Sequence, residues 1–369
     1  MKLSGRVLDW LAIGVLALVA GIAAYTFRDY GLGWDDLTHA QYGQLLLNLY
    51  ASGFSDTRAL SFVNLYMYGG GFDMAAALLA KILPSDLFES RRLFGAMVGI
   101  LGLFVTWRLA RRIGGALAGL LAVVLLAVCP LYYGHMFINP KDAPFAVAIV
   151  IALLGLVRGI EDYPRPRPAT VALIGIGFGL SVGARILGGI AAIYALAPLL
   201  FLIWHDARSS TVWNALKDFG RFVLALVPAL ILGIAIMAVI WPWSALAPLN
   251  VFRAVDYFSH FFEKPWKEMY EGALVSVPEM PRSYVPKLFG LKLPELFVVL
   301  SLAGVGVALA QILRPSATAK RRAALMLIVI AATLPVLIAI ATKPAMYNGI
   351  RHFVFVLPPL AVLGGLAGA

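Results

Sequence analysis

The chain has 369 residues, of which 61% are hydrophobic and 13% are charged, and its formal net charge is +11. Soluble domains carry about 25% charged residues, so this composition excludes a soluble globular protein and indicates several membrane spans. The Lys and Arg residues cluster mainly between apolar segments and form no basic stripe with interleaved aromatic residues, which argues against nucleic acid as a partner. The one cysteine, Cys129, lies in an apolar run, where we expect it to be buried.

The first apolar run extends from about Leu8 to Phe27, after a short segment that contains Lys2 and Arg6. About 20 apolar residues are long for a signal peptide, and the chain stays hydrophobic afterwards, so we expect a signal anchor with a cytoplasmic amino terminus. Residues 28–84 follow as a first exterior loop. Within this loop, residues 74–83 are apolar but too few to cross a membrane, which predicts an interfacial helix.

Two adjacent carboxylates, Asp35 and Asp36, lie near the start of this loop in a chain that is short of charge. Rings and hydrogen-bonding groups surround them where a lipid-facing helix would carry Leu and Val, at Trp34, His39, Gln41, Tyr42 and Gln44. An acid pair at a membrane boundary suggests chemistry. A solvated helix cap is the alternative, because acidic residues favour the first turn of a helix.

Further apolar segments predict membrane spans, about ten with the first. Their approximate ranges are 93–109, 116–133, 143–157, 169–184, 187–204, 222–240, 294–313, 323–341 and 353–367. A second long exterior loop, residues 241–293, is rich in Trp, Tyr and Phe, which is typical of the interfacial belt. The chain ends within or just after its last span, which leaves open that a longer natural protein is truncated here.

Alternate threading of these spans places the short basic loops on the cytoplasmic side, as the positive-inside rule leads one to expect. These loops contain Arg108, Arg111, Arg112, Arg158, Arg165, Arg167, Arg208, Lys217, Arg221, Arg314, Lys320, Arg321 and Arg322. The acid pair, both long loops and the polar stretches described next fall on the exterior side. The residues with unusual chemistry are therefore predicted to share one face.

A second polar stretch, residues 132–144, reads YYGHMFINPKDAP and gathers four polar side chains, His135, Asn139, Lys141 and Asp142. Its prolines disfavour a continuous helix, so the backbone is expected to leave the helix and re-enter it. Non-helical backbone at membrane depth is tolerated only where protein or water forms hydrogen bonds with its N–H and C=O groups. The stretch therefore predicts a polar cavity. The alternative is that Lys141 and Asp142 are an interfacial anchor pair.

Two further basic regions fall on the exterior side. Arg185 lies between apolar segments without a neighbouring acid, where its guanidinium either binds a phosphate or extends to the interface. The stretch TKPAMYNGIRHFVF brings more polar groups to the same face, at Lys343, Tyr347, Asn348, Arg351 and His352. It predicts another anion-binding wall, with an ordinary charged helix end as the alternative.

Several familiar motifs carry no function here. Gly179, Ser181 and Gly183 match G-x-S-x-G but lie in an apolar helical run without the strand and turn that an esterase requires. Neither the P-loop pattern nor G-x-G-x-x-G occurs, so a nucleotide cofactor is not expected. No H-E-x-x-H occurs and the five histidines are dispersed, which argues against a structural zinc site.

The acid pair after the first span, NPKDAP after the third and IRHFVFVLPP before the last together resemble the GT-C superfamily of membrane glycosyltransferases. Within it, the chain is similar to the phospholipid carrier-dependent group of protein O-mannosyltransferase and aminoarabinose transferase relatives, over nearly its whole length. The resemblance implies one all-α polytopic GT-C domain over residues 1–369, in a bacterial inner membrane. It also implies a polyprenyl phosphate sugar donor, bound among membrane lipids at the exterior, periplasmic face.

The resemblance assigns roles to individual residues as well. Asp35 aligns with the catalytic acid of the family, Asp36 stands where Glu is usual, and Asp142 corresponds to a second exterior acid. Several relatives carry a lysine just ahead of the interfacial helix, where this chain has Gly69–Gly71. We therefore expect the phosphate contacts to come from other cations, namely Lys141, Arg185, Arg351 and His352. The substrate pocket is expected to include Trp34, His39, Tyr42, Tyr68, His135 and Asn139.

Transfer to a hydroxyl needs a carboxylate to remove its proton and cations to stabilise the leaving phosphate. Successive side chains on a helix point about 100 degrees apart, so Asp35 and Asp36 cannot face the same atom. We expect Asp35 to be the base, with Asp36 or Asp142 orienting a ligand or, if one is bound, a divalent metal. The acceptor is left open among lipid, polysaccharide and protein. The rival hypothesis is a transporter or flippase of lipid-linked sugars.

Overall fold

The structure, a computed structural model, describes residues 4–247, 249–260 and 266–369. In chain order, its α-helices are α1 (Gly5–Thr26), α2 (Asp36–Ala51), α3 (Gly71–Ala80), α4 (Leu87–Ala127), α5 (Pro130–Ile138), α6 (Asp142–Asp162), α7 (Pro168–Ala184), α8 (Ile190–Ser209), α9 (Val212–Ala225), α10 (Val227–Ile240), α11 (Pro242–Leu246), α12 (Asn250–Ser259), α13 (Tyr284–Lys292), α14 (Glu295–Leu313), α15 (Ala319–Thr342) and α16 (Leu357–Gly368). Short 3-10 helices occupy Arg58–Ser61, Leu65–Met67, Ile186–Gly189, Val277–Glu279 and Arg351–Val356. Parts of the predicted second exterior loop, residues 248 and 261–265, lie outside the described residues.

One β-hairpin interrupts the otherwise helical architecture of the described ranges. Its strands, β1 (Lys267–Tyr270) and β2 (Ala273–Ser276), pair antiparallel, with Lys267 opposite Ser276. The turn between them contains Gly272, whose φ of 79° favours a residue without a side chain. The fold is therefore all-α apart from this small element, which the sequence analysis did not predict.

Eight helical segments of the described residues are long and apolar enough to cross a membrane, so the chain is a multi-pass membrane protein. The sequence predicted about ten spans, and the difference has two sources. The second and third predicted spans both lie within α4, whose range joins two helices across a break at Gly115, where φ is 87°. A Cβ on Gly119 would touch Trp107 and Arg111, so the chain reverses at this break and the two helices pack side by side. The fifth is α7, an apolar helix of 17 residues, which is shorter than the others.

Helix α6 lies at the centre of the bundle, in contact with α4, α7, α8 and α15. Apolar residues line nearly its whole buried length, whereas its first residue is the buried Asp142. Because α6 is enclosed on several sides, the carboxylate at its amino end lies inside the protein and away from lipid. The polar stretch before it is thereby placed in the middle of one end of the bundle.

The first loop is docked against the bundle through backbone contacts. Gly70 donates its N–H to the carbonyl of Ile240 at 2.9 Å. A Cβ on Gly69 would overlap the carbonyl of Gly183, and one on Gly43 would overlap that of Asp73. Only glycine permits approaches this close, so α2 lies directly on α3, and the segment just before α3 lies directly on α7.

The short basic loops meet at the other end, which we call the basic end. Arg111 bonds Asp9 at 2.6 Å and Arg112 pairs with Glu161, the latter near the last residue of α6. Lys320, at the start of α15, donates to the carbonyl of Tyr163 at 2.6 Å. These contacts bring together short basic loops that the sequence analysis predicted to lie on the same side of the membrane.

Candidate active site

A cavity of about 1080 Å³ opens at the end of the bundle opposite the basic end. It lies at the start of α6 and the last turns of α15, whereas the basic end lies at the opposite termini of both helices. Five separate parts of the chain line it, namely residues 33–39, 63–68, 135–142, 185–190 and the region from 335 to 355, with additions from Phe258, Trp266 and Glu268. The stretches that were singled out in the sequence therefore converge on one space.

The acid pair is split between the cavity and the protein interior. Asp35, directly before α2, lines the cavity with its side chain 47% exposed. Asp36 begins α2 and turns inward, where its Oδ2 accepts the N–H of Gly33 at 2.6 Å. Arg351 Nη1 lies 3.6 Å from Asp35 Oδ2, which is an ion pair too long for a hydrogen bond. Asp35 therefore keeps acceptor capacity toward the cavity.

Asp36 is only 7% exposed and does not line the cavity. Burial raises the pKa of its carboxyl above the usual value, and the hydrogen bond from Gly33 only partly offsets this effect. Its observed contact closes the turn that presents Asp35. Such a position is unsuited to the substrate-orienting or metal-binding role that the sequence suggested for Asp36.

In the NPKDAP stretch, the side chain of Asn139 organises the backbone. Its Oδ1 accepts the N–H of Lys141 at 3.1 Å and that of Asp142 at 2.8 Å, while its Nδ2 donates to Asp142 Oδ2 at 2.9 Å. The same Nδ2 lies 3.0 Å from Nδ1 of His135. Burial lowers the pKa of His135, so its neutral ring accepts this second hydrogen. The side chain of Asn139 thus accepts hydrogen bonds from backbone N–H groups that lack helical partners in the break between α5 and α6.

Asp142 forms a buried ion pair with Arg185. Arg185 Nη2 lies 2.6 Å from Asp142 Oδ1, and the side chains are 17% and 3% exposed. Arg185 lies where α7 ends and the backbone becomes extended, so its side chain enters the cavity wall. This position excludes the alternative in which Arg185 simply reaches for the membrane interface. Its Nε has no hydrogen-bond partner within the described ranges.

Lys141 and Arg185 converge on the ring of Tyr68. Lys141 Nζ lies 4.4 Å from the ring centroid and the guanidinium carbon of Arg185 lies 6.0 Å from it. Burial lowers the pKa of Lys141 to about 8, and repulsion by Arg185 acts in the same direction. An anion bound beside these two groups would relieve their repulsion. The site is therefore suited to a phosphate.

A third wall comes from the segment before α16. The guanidinium carbon of Arg351 lies 5.1 Å from the ring centroid of Tyr347, and the ring of His352 lies 4.9 Å from that of Tyr347. Asn348, with its amide oriented to suit both neighbours, accepts from Arg351 at 3.3 Å and donates to Glu268 at 3.2 Å. Of this stretch, Tyr347, Asn348, Arg351 and His352 line the cavity, whereas the exposed Lys343 does not.

Comparisons with known proteins show what this chain is similar to. Residues 71–243 match the family model described as dolichyl-phosphate-mannose-protein mannosyltransferase. A sequence search of curated proteins finds no match for the chain.

Solved structures match over nearly the whole chain. ArnT from Cupriavidus metallidurans bound to undecaprenyl phosphate superposes with a TM-score of 0.61 at 20% identity, covering 97% of this chain and 59% of that one. The archaeal oligosaccharyltransferase AglB from Archaeoglobus fulgidus, in complex with an inhibitory peptide and a dolichol-phosphate, gives a TM-score of 0.59 at 15% identity, covering 97% and 50%. The chain has the GT-C fold. It spans about three fifths of the length of ArnT and half that of AglB.

The cavity of this GT-C chain contains most of the predicted pocket residues. His39, Tyr68, His135 and Asn139 line it, and Trp34 lies at its rim with 97% of its surface exposed. Tyr42 does not line it, contrary to the sequence prediction. Its ring packs with Leu46 and Leu49 because residues 65–68 cover it from the cavity side, where its hydroxyl donates to the Tyr68 carbonyl at 3.4 Å.

Sequence reasoning missed two groups of residues near this site. Trp266 and Glu268 line the cavity from the hairpin side, but aromatic residues in that loop were interpreted as an interfacial belt. Asp73 and Arg91 form buried ion pairs behind the first loop. The signal that was available for the second group is Asp73, a lone charge within the apolar helix α3, whereas Arg91 lies among other charged residues at the start of α4.

The side chains do not form a clear metal site. Asp142 Oδ2 accepts from Asn139, and its Oδ1 forms an ion pair with Arg185 without a well-aligned hydrogen bond, so a cation already neutralises this carboxylate. In the described part of the chain, no three His, Cys, Asp or Glu residues are grouped as metal ligands. A related Archaeoglobus fulgidus oligosaccharyltransferase was solved in complex with Zn and sulfate, with a TM-score of 0.54 at 16% identity. The donor set here does not fit a divalent cation.

Proposed function

We propose that this GT-C chain is a glycosyltransferase that moves a sugar from a polyprenyl phosphate donor to a hydroxyl acceptor. One observation carries the proposal: a single cavity joins a carboxylate with free acceptor capacity, Asp35, to a wall of cations formed by Lys141, Arg185 and Arg351. Glycosyl transfer from an activated carrier needs a base and an anion site, and this cavity contains groups suited to both.

In this mechanism Asp35 removes the proton of the acceptor hydroxyl as its oxygen attacks the anomeric carbon of the donor. The bond from that carbon to the phosphate oxygen breaks, and polyprenyl phosphate leaves with the bonding electrons. Lys141, Arg185 and Arg351 stabilise the charge that develops on the phosphate. Asp142 keeps Arg185 in place, as their 2.6 Å contact supports. His352, in the same wall, completes the proposed phosphate-binding set.

The remaining lining residues support a lipid carrier. Between the start of α8 and the end of α15, the cavity wall is apolar, with Ile186, Leu187, Ile190, Ile338 and Ala339. Two of these residues, Leu187 and Ile338, are 46% and 43% exposed. A prenyl chain in this gap would keep its hydrocarbon in the membrane while its phosphate reached the cations. The sugar would then face Trp34, His39, Tyr68, His135 and Asn139.

The proposal includes a location and a domain organisation. The cavity end is assigned to the periplasmic side of a bacterial inner membrane, because the basic loops lie at the opposite end. Residues 1–369 are assigned to one transmembrane GT-C domain, with residues 28–84 and 241–293 as its two long exterior loops. Lipid, polysaccharide and protein hydroxyls all satisfy the chemistry of the acceptor.

The test is sugar transfer by the purified protein in lipid vesicles. A panel of labelled polyprenyl phosphate sugars is offered with a membrane extract as acceptor, and wild type is compared with Asp35→Asn. Asparagine keeps the shape but cannot take the proton, so we expect a loss of about 100-fold or more. Asp29→Asn, an exposed acid in the same loop, is the matched control and should retain full activity.

Three results separate the hypotheses. Loss of transfer in an Asp35→Asn variant that still folds and binds donor supports the transferase with Asp35 as base. Undiminished transfer would exclude Asp35 from the mechanism. No transfer by either protein, together with passage of lipid-linked sugar across the vesicle membrane, would support the flippase.

A further inference from the structure

Three buried polar side chains form a group behind the first loop, and two of them, Asp73 and Arg91, have no role in the mechanism above. His39 Nδ1 lies 2.6 Å from Asp73 Oδ2, and Arg91 Nη2 lies 2.7 Å from Asp73 Oδ1. The three side chains are no more than 4% exposed. They join α2, α3 and α4, so each helix supplies one member of the group.

The contacts determine which nitrogen of His39 carries the proton toward Asp73. Burial by itself would raise the pKa of Asp73, but the charges and hydrogen bonds of His39 and Arg91 lower it below the usual value. An ionised carboxylate only accepts, so Nδ1 of His39 must donate to it. Nε2 is then left to face another group, and it has no hydrogen-bond partner in the described part of the chain.

A buried polar atom without a partner requires an explanation, because nearly all such atoms in folded proteins are satisfied. Among the residues that the structure describes, no protein atom supplies this partner. His39 lines the cavity, one helical turn after Asp35, and its backbone N–H donates to the Asp35 carbonyl at 2.9 Å. Asp73 holds the ring through Nδ1, and His39 lies on the face of α2 that lines the cavity. The missing partner is therefore expected to come from a ligand.

The position of His39 indicates which part of the ligand it meets. Asp35 marks the acceptor side of the cavity, and Lys141 marks the phosphate side. Lys141 is close enough to be influenced electrostatically by both Asp35 and Asp73. His39 lines the same cavity as this base and this cation, in the space that a sugar bonded to a bound phosphate would enter.

We propose that Nε2 of His39 hydrogen bonds a hydroxyl of the transferred sugar, and that Asp73, held by Arg91, is the positioning residue for this contact. The inference rests on the proposed function, because it takes the cavity to be the donor site. A ring fixed through Nδ1 presents Nε2 at one place and in one direction, which favours a sugar with a hydroxyl at the matching position. His39 thus contributes to the choice of sugar.

A purely structural role for the trio makes a different prediction. If the ion pairs served only to tie the three helices together, their removal would lower stability and weaken the binding of every ligand alike. A sugar contact, in contrast, weakens only ligands that carry the sugar. Polyprenyl phosphate without a sugar is the probe that separates the two roles.

The experiment measures binding of polyprenyl phosphate and of the tightest-binding polyprenyl phosphate sugar from the panel to the full chain in nanodiscs. Two variants test the two ring nitrogens of His39 separately. His39→Asn keeps a donor near the position of Nδ1 but has nothing at Nε2, whereas His39→Gln reaches the position of Nε2. We expect His39→Asn to weaken the sugar-bearing lipid about tenfold, as for one lost hydrogen bond, and the sugar-free lipid less than about twofold.

We expect His39→Gln to stay within about threefold of wild type for both lipids, because its amide replaces the contact. Asp73→Asn should reproduce the sugar-selective loss in part, since the ring loses its anionic anchor. Equal weakening of both lipids by His39→Asn, or no weakening, would overturn the inference.

Binding needs no turnover, so this result is independent of the transfer assay. Sugar-selective loss without any transfer would leave the contact standing while the enzymatic proposal failed. Transfer that depends on Asp35 but shows no selective loss at His39 would leave the enzyme standing and remove the contact. If wild type bound none of the panel lipids, the donor proposal and this inference would both be wrong.

Discussion

The two ends of the bundle use the same residue types for different purposes. At the basic end, Arg111 pairs with Asp9 while their side chains remain 43% and 21% exposed. At the cavity end, Arg185 pairs with Asp142 at the same distance of 2.6 Å with side chains only 17% and 3% exposed. Exposed pairs contribute little to stability, whereas buried charges carry a large desolvation cost. A cost that stability does not explain indicates that the cavity charges are kept for function.

The hydrogen-bond partners show the same contrast. At the basic end, Arg322 donates to the carbonyl of Ile312 at 2.6 Å, and Arg321 donates to that of Ile113, just before the break in α4. These cations donate hydrogen bonds to backbone carbonyls of neighbouring helices. At the cavity end, Lys141 and Arg351 lie over tyrosine rings and keep donors toward open space. Cations that face rings and space remain available to a ligand.

The sharpest test of this contrast replaces one arginine at each end. Arg185→Met removes a phosphate contact and leaves Asp142 buried without its cation, so we expect transfer to fall about 100-fold and stability to fall by about 3–5 kcal/mol. Arg112→Met removes only a partly exposed pair, and we expect full activity and a change within about 1 kcal/mol. Transfer rates and denaturant unfolding measure both. Equal losses at the two ends would show that the comparison is wrong.

The next effect concerns the contact between Arg351 and Asp35. Arg351→Gln removes the cation 3.6 Å from the proposed base, and we expect kcat to fall about tenfold because the leaving phosphate loses one of its three cations. Lys343→Gln is the matched control, since Lys343 is exposed in the same segment and does not line the cavity. An equal effect of the two changes would point to overall charge instead of position.

A pH titration gives a smaller effect that depends on Lys141 alone. Its pKa of about 8 means that it is mostly charged at about pH 7 and mostly neutral at about pH 9, while a sugar phosphodiester keeps its single charge. Binding of the donor should therefore weaken about tenfold between these values. Lys141→Arg should flatten the curve, because arginine does not titrate in this range. A wild-type profile that is already flat would exclude Lys141 from the phosphate site.

The smallest expected effect is that of a chelator. Because Asp142 is paired with Arg185 and Asn139, we expect EDTA to change transfer by less than about twofold, in contrast to enzymes whose metal polarises the phosphate. The measurement is the initial rate before and after dialysis against EDTA, with Mg²⁺ or Zn²⁺ added back. Loss of activity that added metal restores would contradict this expectation.

The general fold followed from composition and hydrophobic run length, and the structure and the comparisons confirm it. The break at Gly115 within α4 agrees with the predicted boundary between the second and third spans. The hairpin at β1 and β2 was missed because short strands in an aromatic loop carry almost no periodic signal.

The candidate site divides in the same way. Asp142, Arg185 and Arg351 stood out because charges are rare in an apolar chain, and the structure brings them to one cavity. Their roles remain predictions. The different directions of Asp35 and Asp36 were anticipated, but which acid faces the cavity depends on the close packing of Gly33 against the carbonyl of Ile138. The link from Asp73 to His39 spans 34 residues of sequence, and no local pattern reveals it.

The glycines that dock the first loop limit how this cavity could diversify. Gly69 meets the carbonyl of Gly183 with backbone against backbone, so the spacing between the loop and α7 has no side chain through which it could be adjusted. If the proposed function is right, descendants of this chain that accept a different sugar would have to change side chains that line the cavity and keep the backbone spacing between the first loop and α7. Divergence among such proteins should therefore concentrate at lining positions such as Trp266 and Glu268, while Gly69 changes only together with Gly183.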